Sequence, residues 1–191
     1  MPLTELEIAQ MLQEKLKSYI KNALTNLYRY DYDLICNRTN THVFEPALSA
    51  RIAMHLREQL RHNAYGIDFE RCALAGYRVD CEYDKHGPDD KLDAEGKARR
   101  PDILIHKRSI QNKQEDTAER NILFCEVKWK YLSEADKKKL TKMASDYEYY
   151  CSLGIKDISP EKISLEYGFR DSDYKLHTET YLWDSKKKRL E

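Results

Sequence analysis

Two short apolar segments of this chain carry acidic and basic side chains whose chemistry suits a metal ion and an activated water. The first segment, residues 100–105, contains Asp102, and the second, residues 121–129, contains Glu126 and Lys128. Successive side chains of a strand point to opposite faces, so Glu126 and Lys128 share a face if the second segment is extended. If the first segment pairs beside it, Asp102 joins them. We therefore expect two carboxylates and one amine at one edge of a sheet, a set that can hold a divalent metal.

An ordinary structural interpretation of these charged residues stays open. Asp102 would then cap a loop, and Glu126 would pair with Lys128 or Lys130 at a sheet edge. Charged side chains are common at such edges because they discourage pairing with another chain. The elements that surround these residues must decide between the two interpretations.

Pro101-Asp102 and Glu126-Val127-Lys128 resemble the signature of the PD-(D/E)xK nuclease superfamily, which has a restriction-endonuclease-like fold. The resemblance implies that Asp102 and Glu126 bind Mg²⁺, for which Mn²⁺ is a substitute. The Val127 backbone carbonyl is a third ligand by the same resemblance, and Lys128 orients or helps deprotonate the attacking water. The resemblance covers the chain from about residue 45 to residue 169.

An acid from a preceding helix often completes the site in that superfamily, and Glu45 is the candidate here. A helix is predicted from Pro46 to about His62, with apolar residues at helical spacing. Glu45 falls within this stripe if the winding extends back, whereas Glu58 falls off it. Glu45 would then bridge to a second metal or to its waters. Pro46 disfavours helical geometry at the preceding residue, and a solvated acid at the positive end of the helix is the alternative.

The other elements follow in an order that agrees with this resemblance. A capping box of Thr4 and Glu7 begins a long helix that ends near Tyr28. Strands are predicted over residues 76–83, 100–105, 121–129, 163–169 and 174–183, a helix over 133–151, and polar loops over 84–99 and 107–120. We expect an α/β fold: a restriction-endonuclease-like core with a central mixed four- to five-stranded sheet flanked by helices, in α-β-β-β-α-β order.

A single domain is expected over residues 1–191, with an extra N-terminal helix in 1–30, the core in 45–183 and a basic tail in 184–191. The chain has 191 residues, of which 41% are hydrophobic and 35% are charged, which is typical of a soluble globular protein. No apolar run is long enough for a membrane helix, and the first residues lack a signal-peptide pattern. We expect a cytoplasmic protein without a membrane partner.

The cysteines and three smaller groups of residues allow more than one interpretation. Five cysteines without a Cys-x-x-Cys pair indicate buried, reduced thiols. Asp80 and Glu82 share a strand face, which is either an exposed polar face or a secondary metal or phosphate site. Residues 28–33 alternate tyrosines with charges, and structural packing is favoured over a surface that stacks bases. Lysines at positions 137–139 and 142 are either a solvated surface or phosphate contacts.

The motif and the element order together indicate a Mg²⁺-dependent nuclease that hydrolyses phosphodiester bonds, with DNA favoured over RNA as the partner. The formal net charge of zero offers no overall attraction to nucleic acid, which requires local lysine and arginine contacts. The alternative is a non-catalytic binding or regulatory module that keeps the nuclease fold and meets a nucleic-acid or protein partner. Self-association as a homodimer is compatible with either function.

Overall fold

The computed structural model describes residues 5–36, 45–64, 77–81, 85–86, 89–90, 100–106 and 121–191. The helices are α1 (Glu5–Tyr30), α2 (Tyr32–Cys36), α3 (Glu45–Ala64) and α4 (Glu134–Asp146), with a short 3₁₀ helix at Arg170–Ser172. The strands are β1 (Arg78–Cys81), β2 (Lys85–His86), β3 (Asp89–Asp90), β4 (Ile103–His106), β5 (Asn121–Val127), β6 (Cys151–Lys156), β7 (Lys162–Phe169), β8 (His177–Asp184) and β9 (Arg189–Leu190).

Seven of these strands form one mixed sheet in the order β1-β4-β5-β6-β7-β8-β9. β5 and β6 are parallel, and α4 connects them, whereas the other neighbouring strands of the sheet are antiparallel. The fold is therefore α/β, as expected. The expected number of four to five strands is wrong, because β6 and β9 join the five strands that the sequence pattern predicted.

β6 was missed because Tyr147 and Tyr150 continue the helical spacing of Leu140 and Met143 up to Cys151, where the strand begins. The predicted helix over 133–151 ends at Asp146, and Glu148 takes a positive φ of 52°, which an α-helix does not allow. The chain then enters β6, in which Cys151 to Ile155 are all buried. A short apolar strand that is buried on both faces lacks the alternation by which strands are recognised.

The expected basic tail over residues 184–191 instead forms a turn and a strand. The Asp184 carboxylate accepts hydrogen bonds from the backbone amides of Lys186 and Lys187, and Lys188 takes a positive φ. The turn returns the chain to β8 as β9. Leu190 is only 2% exposed and belongs to the main core, to which α1 also contributes.

The sheet separates two hydrophobic cores. The larger core contains apolar side chains of α1 and α3 together with Leu123, Cys125 and Val127 of β5. The smaller core joins Phe124 to side chains of α4. Side chains of β5 thus alternate between the two cores from Leu123 to Val127, whereas Ile122, beside an irregularity in the β4–β5 register, also enters the larger core. All seven residues of β5 are buried, so Glu126 of the predicted motif lies in the interior of the protein.

The aromatic segment over residues 28–33, which joins the end of α1 to α2, buries Tyr28 and exposes Tyr30 and Tyr32. The Tyr28 hydroxyl donates to the backbone carbonyls of Ser159 and Lys162, each at 2.7 Å. Asp31 is buried and accepts hydrogen bonds from Arg51, while His55 Nε2 lies 2.7 Å from Asp31 Oδ2. Structural packing therefore accounts for the Tyr28 and Asp31 side chains.

Three smaller expectations need correction. Asp80 is buried, with Oδ2 2.8 Å from His106 Nε2, because the two side chains satisfy one another beneath the surface. Cys125 and Cys151 are buried as expected, but Cys36 and Cys81 are exposed. The predicted loop over 84–99 contains the β2–β3 hairpin. Glu82, Cys72 and the predicted loop over 107–120 lie outside the described residues.

Within the described part of the chain, no helix combines the length and the apolar character needed to cross a membrane.

Candidate active site

Asp102 and Glu126 come together where the ladder between β4 and β5 ends. The antiparallel register pairs Ile103 with Cys125, so Asp102, which precedes β4, falls beside Glu126. The Asp102 amide donates to the Cys125 carbonyl at 3.1 Å. The Val127 amide donates to Asp102 Oδ2 at 2.6 Å. The Asp102 carboxylate thus takes the place of a backbone acceptor, which fixes it at the end of β5.

Glu126 is a buried acid with an unusual protonation equilibrium. It is 3% exposed, and burial raises its pKa to about 7, although the positive charge of Lys139 opposes the rise and the Asp102 carboxylate adds to it. Burial also raises the pKa of Asp102, against the hydrogen bond from the Val127 amide and the charge of Lys128. Burial therefore favours the neutral form of both carboxyl groups, and a nearby cation favours the charged form.

Lys128 directly follows the last residue of β5, and its side chain pairs with Glu45. Its Nζ donates to Glu45 Oε2 at 3.0 Å, and the Trp129 amide lies 3.3 Å from Glu45 Oε1. Burial acts to lower the pKa of Lys128, but the hydrogen bond and charge of Glu45, with Asp102 and Glu126, raise it overall. Lys128 is therefore a fixed positive charge.

Glu45 reaches this place from the first turn of α3. The helix begins at Glu45 and not after it, so the expectation that Pro46 would displace Glu45 from helical geometry is wrong. Proline suits the first turn because its missing N–H has no partner there in any helix. Glu45 contacts Lys128 directly, and its charge also acts on Asp102.

The Val127 carbonyl points toward the side of the sheet on which Asp102 lies. The Lys128 amide of the same peptide unit donates to the Ile155 carbonyl of β6 at 2.8 Å. The N–H and C=O of a trans peptide point in opposite directions, so the Val127 carbonyl faces away from β6. The predicted residues Glu45, Asp102, Glu126, Val127 and Lys128 therefore meet at one end of the sheet.

Lys139 of α4 is a member of this cluster that the sequence pattern did not single out. Its Nζ lies 2.5 Å from Glu126 Oε1 and donates to the Arg100 carbonyl at 3.2 Å. The sequence left its group of lysines open as either a solvated surface or phosphate contacts, yet the Lys139 side chain is only 19% exposed and pairs with Glu126. The available signal was its spacing, because Lys139 and the buried Met143 are one helical turn apart.

The donor set fits a hard divalent cation with a small number of protein ligands. The described residues include no group of three or more His, Cys, Asp or Glu side chains placed to hold a metal ion. Mg²⁺, however, keeps several waters and uses one or two carboxylates. Asp102 and Glu126 are two such carboxylates, and the buried Glu126 Oε1 has the Lys139 ammonium 2.5 Å away as its charged neighbour.

Comparisons with protein-family models, with curated proteins and with solved structures found no match for this chain.

Proposed function

We propose that this chain is a Mg²⁺-dependent nuclease that hydrolyses phosphodiester bonds in nucleic acid, with DNA as the first substrate to test. The observation that carries the proposal is the convergence of Asp102, Glu126 and Lys128 at one end of β4 and β5. With the separate β2–β3 hairpin set aside, α3, β1, β4, β5, α4 and β6 follow in the α-β-β-β-α-β order expected for a restriction-endonuclease-like core, within a sheet of seven strands.

Asp102, Glu126 and the Val127 carbonyl would hold the metal ion. Bound there, Mg²⁺ would neutralise charge on the phosphate and on the leaving oxygen and lower the pKa of a bound water. Asp102 is preorganised for this role by the hydrogen bond from the Val127 amide. Glu126 is preorganised by its position within a fully buried strand.

Lys128 would orient the attacking water and stabilise the negative charge that it gains. A lysine ammonium is a compact charge on a flexible stem, so its position depends on what holds it. Glu45 binds Lys128 Nζ with one carboxylate oxygen and the Trp129 amide with the other. These contacts favour a positioning role for Glu45 over the bridge to a second metal that the sequence suggested.

The second candidate function is a non-catalytic module that keeps the nuclease fold and binds a nucleic-acid or protein partner. The ion pair between Lys139 and Glu126 favours it, because a half-buried cation already faces one of the two acids. The presence or absence of metal-dependent cleavage separates the two functions.

A cleavage assay tests the proposal. Single-stranded, double-stranded and branched DNA, and RNA of the same sequences, are incubated with the protein in Mg²⁺, Mn²⁺, Ca²⁺ or EDTA. We expect cleavage in Mg²⁺ and Mn²⁺ only. D102A and E126A should abolish both cleavage and calorimetric Mn²⁺ binding, whereas K128A should retain Mn²⁺ binding and cut slowly.

The matched control is K142A, because Lys142 lies on α4 with a side chain that is 51% exposed and pairs with Asp146. It should cut like the parent protein. Cleavage by D102A and E126A at the parental rate would identify a contaminating nuclease. Metal binding without cleavage of any substrate would favour the non-catalytic module.

A further inference from the structure

The Lys139 ammonium lies beside the candidate metal ligands, among groups that attract positive charge. Its Nζ contacts three groups that each attract positive charge: the Glu126 carboxylate at 2.5 Å, the Arg100 carbonyl at 3.2 Å, and the Phe124 ring, whose centroid is 6.0 Å away. Its charge also acts on Asp102. One ammonium group thus serves the two acids on which the proposed metal site depends.

We propose that Lys139 is an internal counter-ion that a divalent metal must displace before the site can act. This inference rests on the function proposed above. Glu126 Oε1 lies against the ammonium, so a metal ion that binds the same oxygen would meet the repulsion of a second cation at contact distance. The metal-free protein is therefore a latched state in which Lys139 neutralises Glu126, and metal binding exchanges one cation for the other.

The position of Lys139 on α4 makes this exchange feasible. The side chain is 19% exposed, so the ammonium lies close to solvent while Glu126 lies deeper, with 4% of its side chain exposed. A lysine ammonium sits on a flexible stem of about four carbons, so it can turn toward water while the helix stays in place. The helix itself is anchored by a capping box at Ser133 and Asp136 and by the buried Leu140 and Met143. Displacement thus requires movement of one side chain only.

The test compares the parent protein with K139M, which keeps the length of the side chain and removes its charge. The matched control is K142M, on the same helix but exposed. At pH 7.5 in EDTA, K139M should melt roughly 5 °C or more below the parent, because Glu126 loses its partner. Calorimetry should show that K139M binds Mn²⁺ about tenfold more tightly than the parent does, because the ion pair between Lys139 and Glu126 no longer competes with the metal ion.

Thermal unfolding with saturating Mn²⁺ gives a second, independent readout. Mn²⁺ should raise the melting temperature of K139M by more than it raises that of the parent or of K142M. The double variant E126Q/K139M should melt above K139M in EDTA and lose most of the response to Mn²⁺. If K139M does not fold in EDTA, recovery of the fold on addition of Mn²⁺ supports the exchange, and failure to recover overturns it.

The outcomes separate this inference from the proposed function. If the parent binds Mn²⁺ and K139M binds it no more tightly, Lys139 is not a competitor, while the nuclease proposal stands. If K139M binds Mn²⁺ and the parent does not, the latch is supported and the metal-dependent activity of the parent is overturned. If no variant binds Mn²⁺ at millimolar concentration, both are overturned.

Discussion

Burial of Glu126 decides how the site responds to pH. A carboxyl group inside the protein favours its neutral form. Once Glu126 is ionised, its negative charge is poorly solvated and is repelled by the Asp102 carboxylate. The cations beside it therefore matter more than they would at a surface. Lys139 already supplies one such charge, and the proposed metal would supply another.

We predict that the metal-free protein becomes less stable as the pH rises from about 4.5 to about 7. The pKa of Glu126 is raised to about 7, so the folded state holds a proton that the unfolded state has released above about pH 4.5. The stability gained from this proton is complete below pH 4.5 and lost as the pH passes 7, about 3 kcal/mol in total.

Urea denaturation at a series of pH values, in EDTA, measures this loss. E126Q is the control, because it lacks the titrating group, and the difference between the parent and E126Q should fall across this pH range. The pKa of Asp102 is also raised, so it contributes with the same sign and remains in both proteins. A difference that stays constant from pH 4.5 to 7.5 would contradict the prediction.

A second prediction at this scale concerns Glu45. E45Q keeps the shape of the side chain but removes the charge that holds Lys128. We expect a cleavage rate about tenfold or more lower, as for other groups that orient a site residue, with the Mn²⁺ affinity unchanged. The basic limb of the pH–rate profile should also move to lower pH, because Glu45 raises the pKa of Lys128. A loss of Mn²⁺ affinity like that of D102A would instead make Glu45 a ligand.

At the scale of elements, α4 and β6 form the unit that closes one side of the site. β6 pairs in parallel with β5, and its Gly154 lies opposite Glu126 on one side and Glu166 of β7 on the other. The missing side chain of Gly154 leaves room for Leu132, which precedes α4, and for Leu140 within it. This close approach brings Lys139 within reach of Glu126.

We predict that G154A destabilises the protein by about 1–3 kcal/mol. A Cβ at this position would lie 2.2 Å from Leu132 Cδ1 and 3.0 Å from Leu140 Cδ1, so buried side chains must shift. Urea denaturation of G154A, L132A and the double variant measures the effect. The double variant should be more stable than the sum of the two changes predicts, because L132A removes the clash. Simple additivity would show that the clash is absent.

The elements that the sequence predicted well are those with a clear period and a clear boundary. Ile163 to Phe169 alternate and form β7, while Pro46 marks the first turn of α3. Asp102, Glu126 and Lys128 were singled out because the two apolar segments that carry them resemble a known signature, and the antiparallel register places Asp102 beside Glu126. The contacts that these side chains make with one another and with Lys139 could be learned only from the structure.

Three features could not be predicted because they depend on contacts distant in sequence. β6 carries no alternation, since both of its faces are buried. Lys139 looks like any surface lysine until α4 is laid against β5. Leu190 follows a run of lysines, and only its contact with the core distinguishes it from a solvated tail.

At the scale of the whole molecule, the larger core joins the two ends of the described chain. α1 packs against α3 and also contacts β9. Tyr28 adds two hydrogen bonds to the backbone on either side of the turn between β6 and β7. The sheet is thus completed by a strand that the first helix covers.

We predict that L190A lowers the free energy of unfolding by about 2–5 kcal/mol, the range for deletion of a buried leucine side chain. Leu190 is 2% exposed. The control is L182A on the adjoining strand β8, where the side chain is 60% exposed and the cost should stay within about 0.5 kcal/mol. Equal melting temperatures for the two variants would show that β9 does not belong to the cooperative core.

The packing of α1 has a consequence for the order of events during synthesis on the ribosome. α1 emerges early with an apolar stripe that includes Leu16, Ile20, Leu24 and Leu27, all of them buried in the finished fold. Part of its cover, β7 and β9, is translated more than one hundred residues later. Until then α3 is the main element available to cover the stripe, and the packing of α1 against the sheet is completed only when β9 has left the exit tunnel.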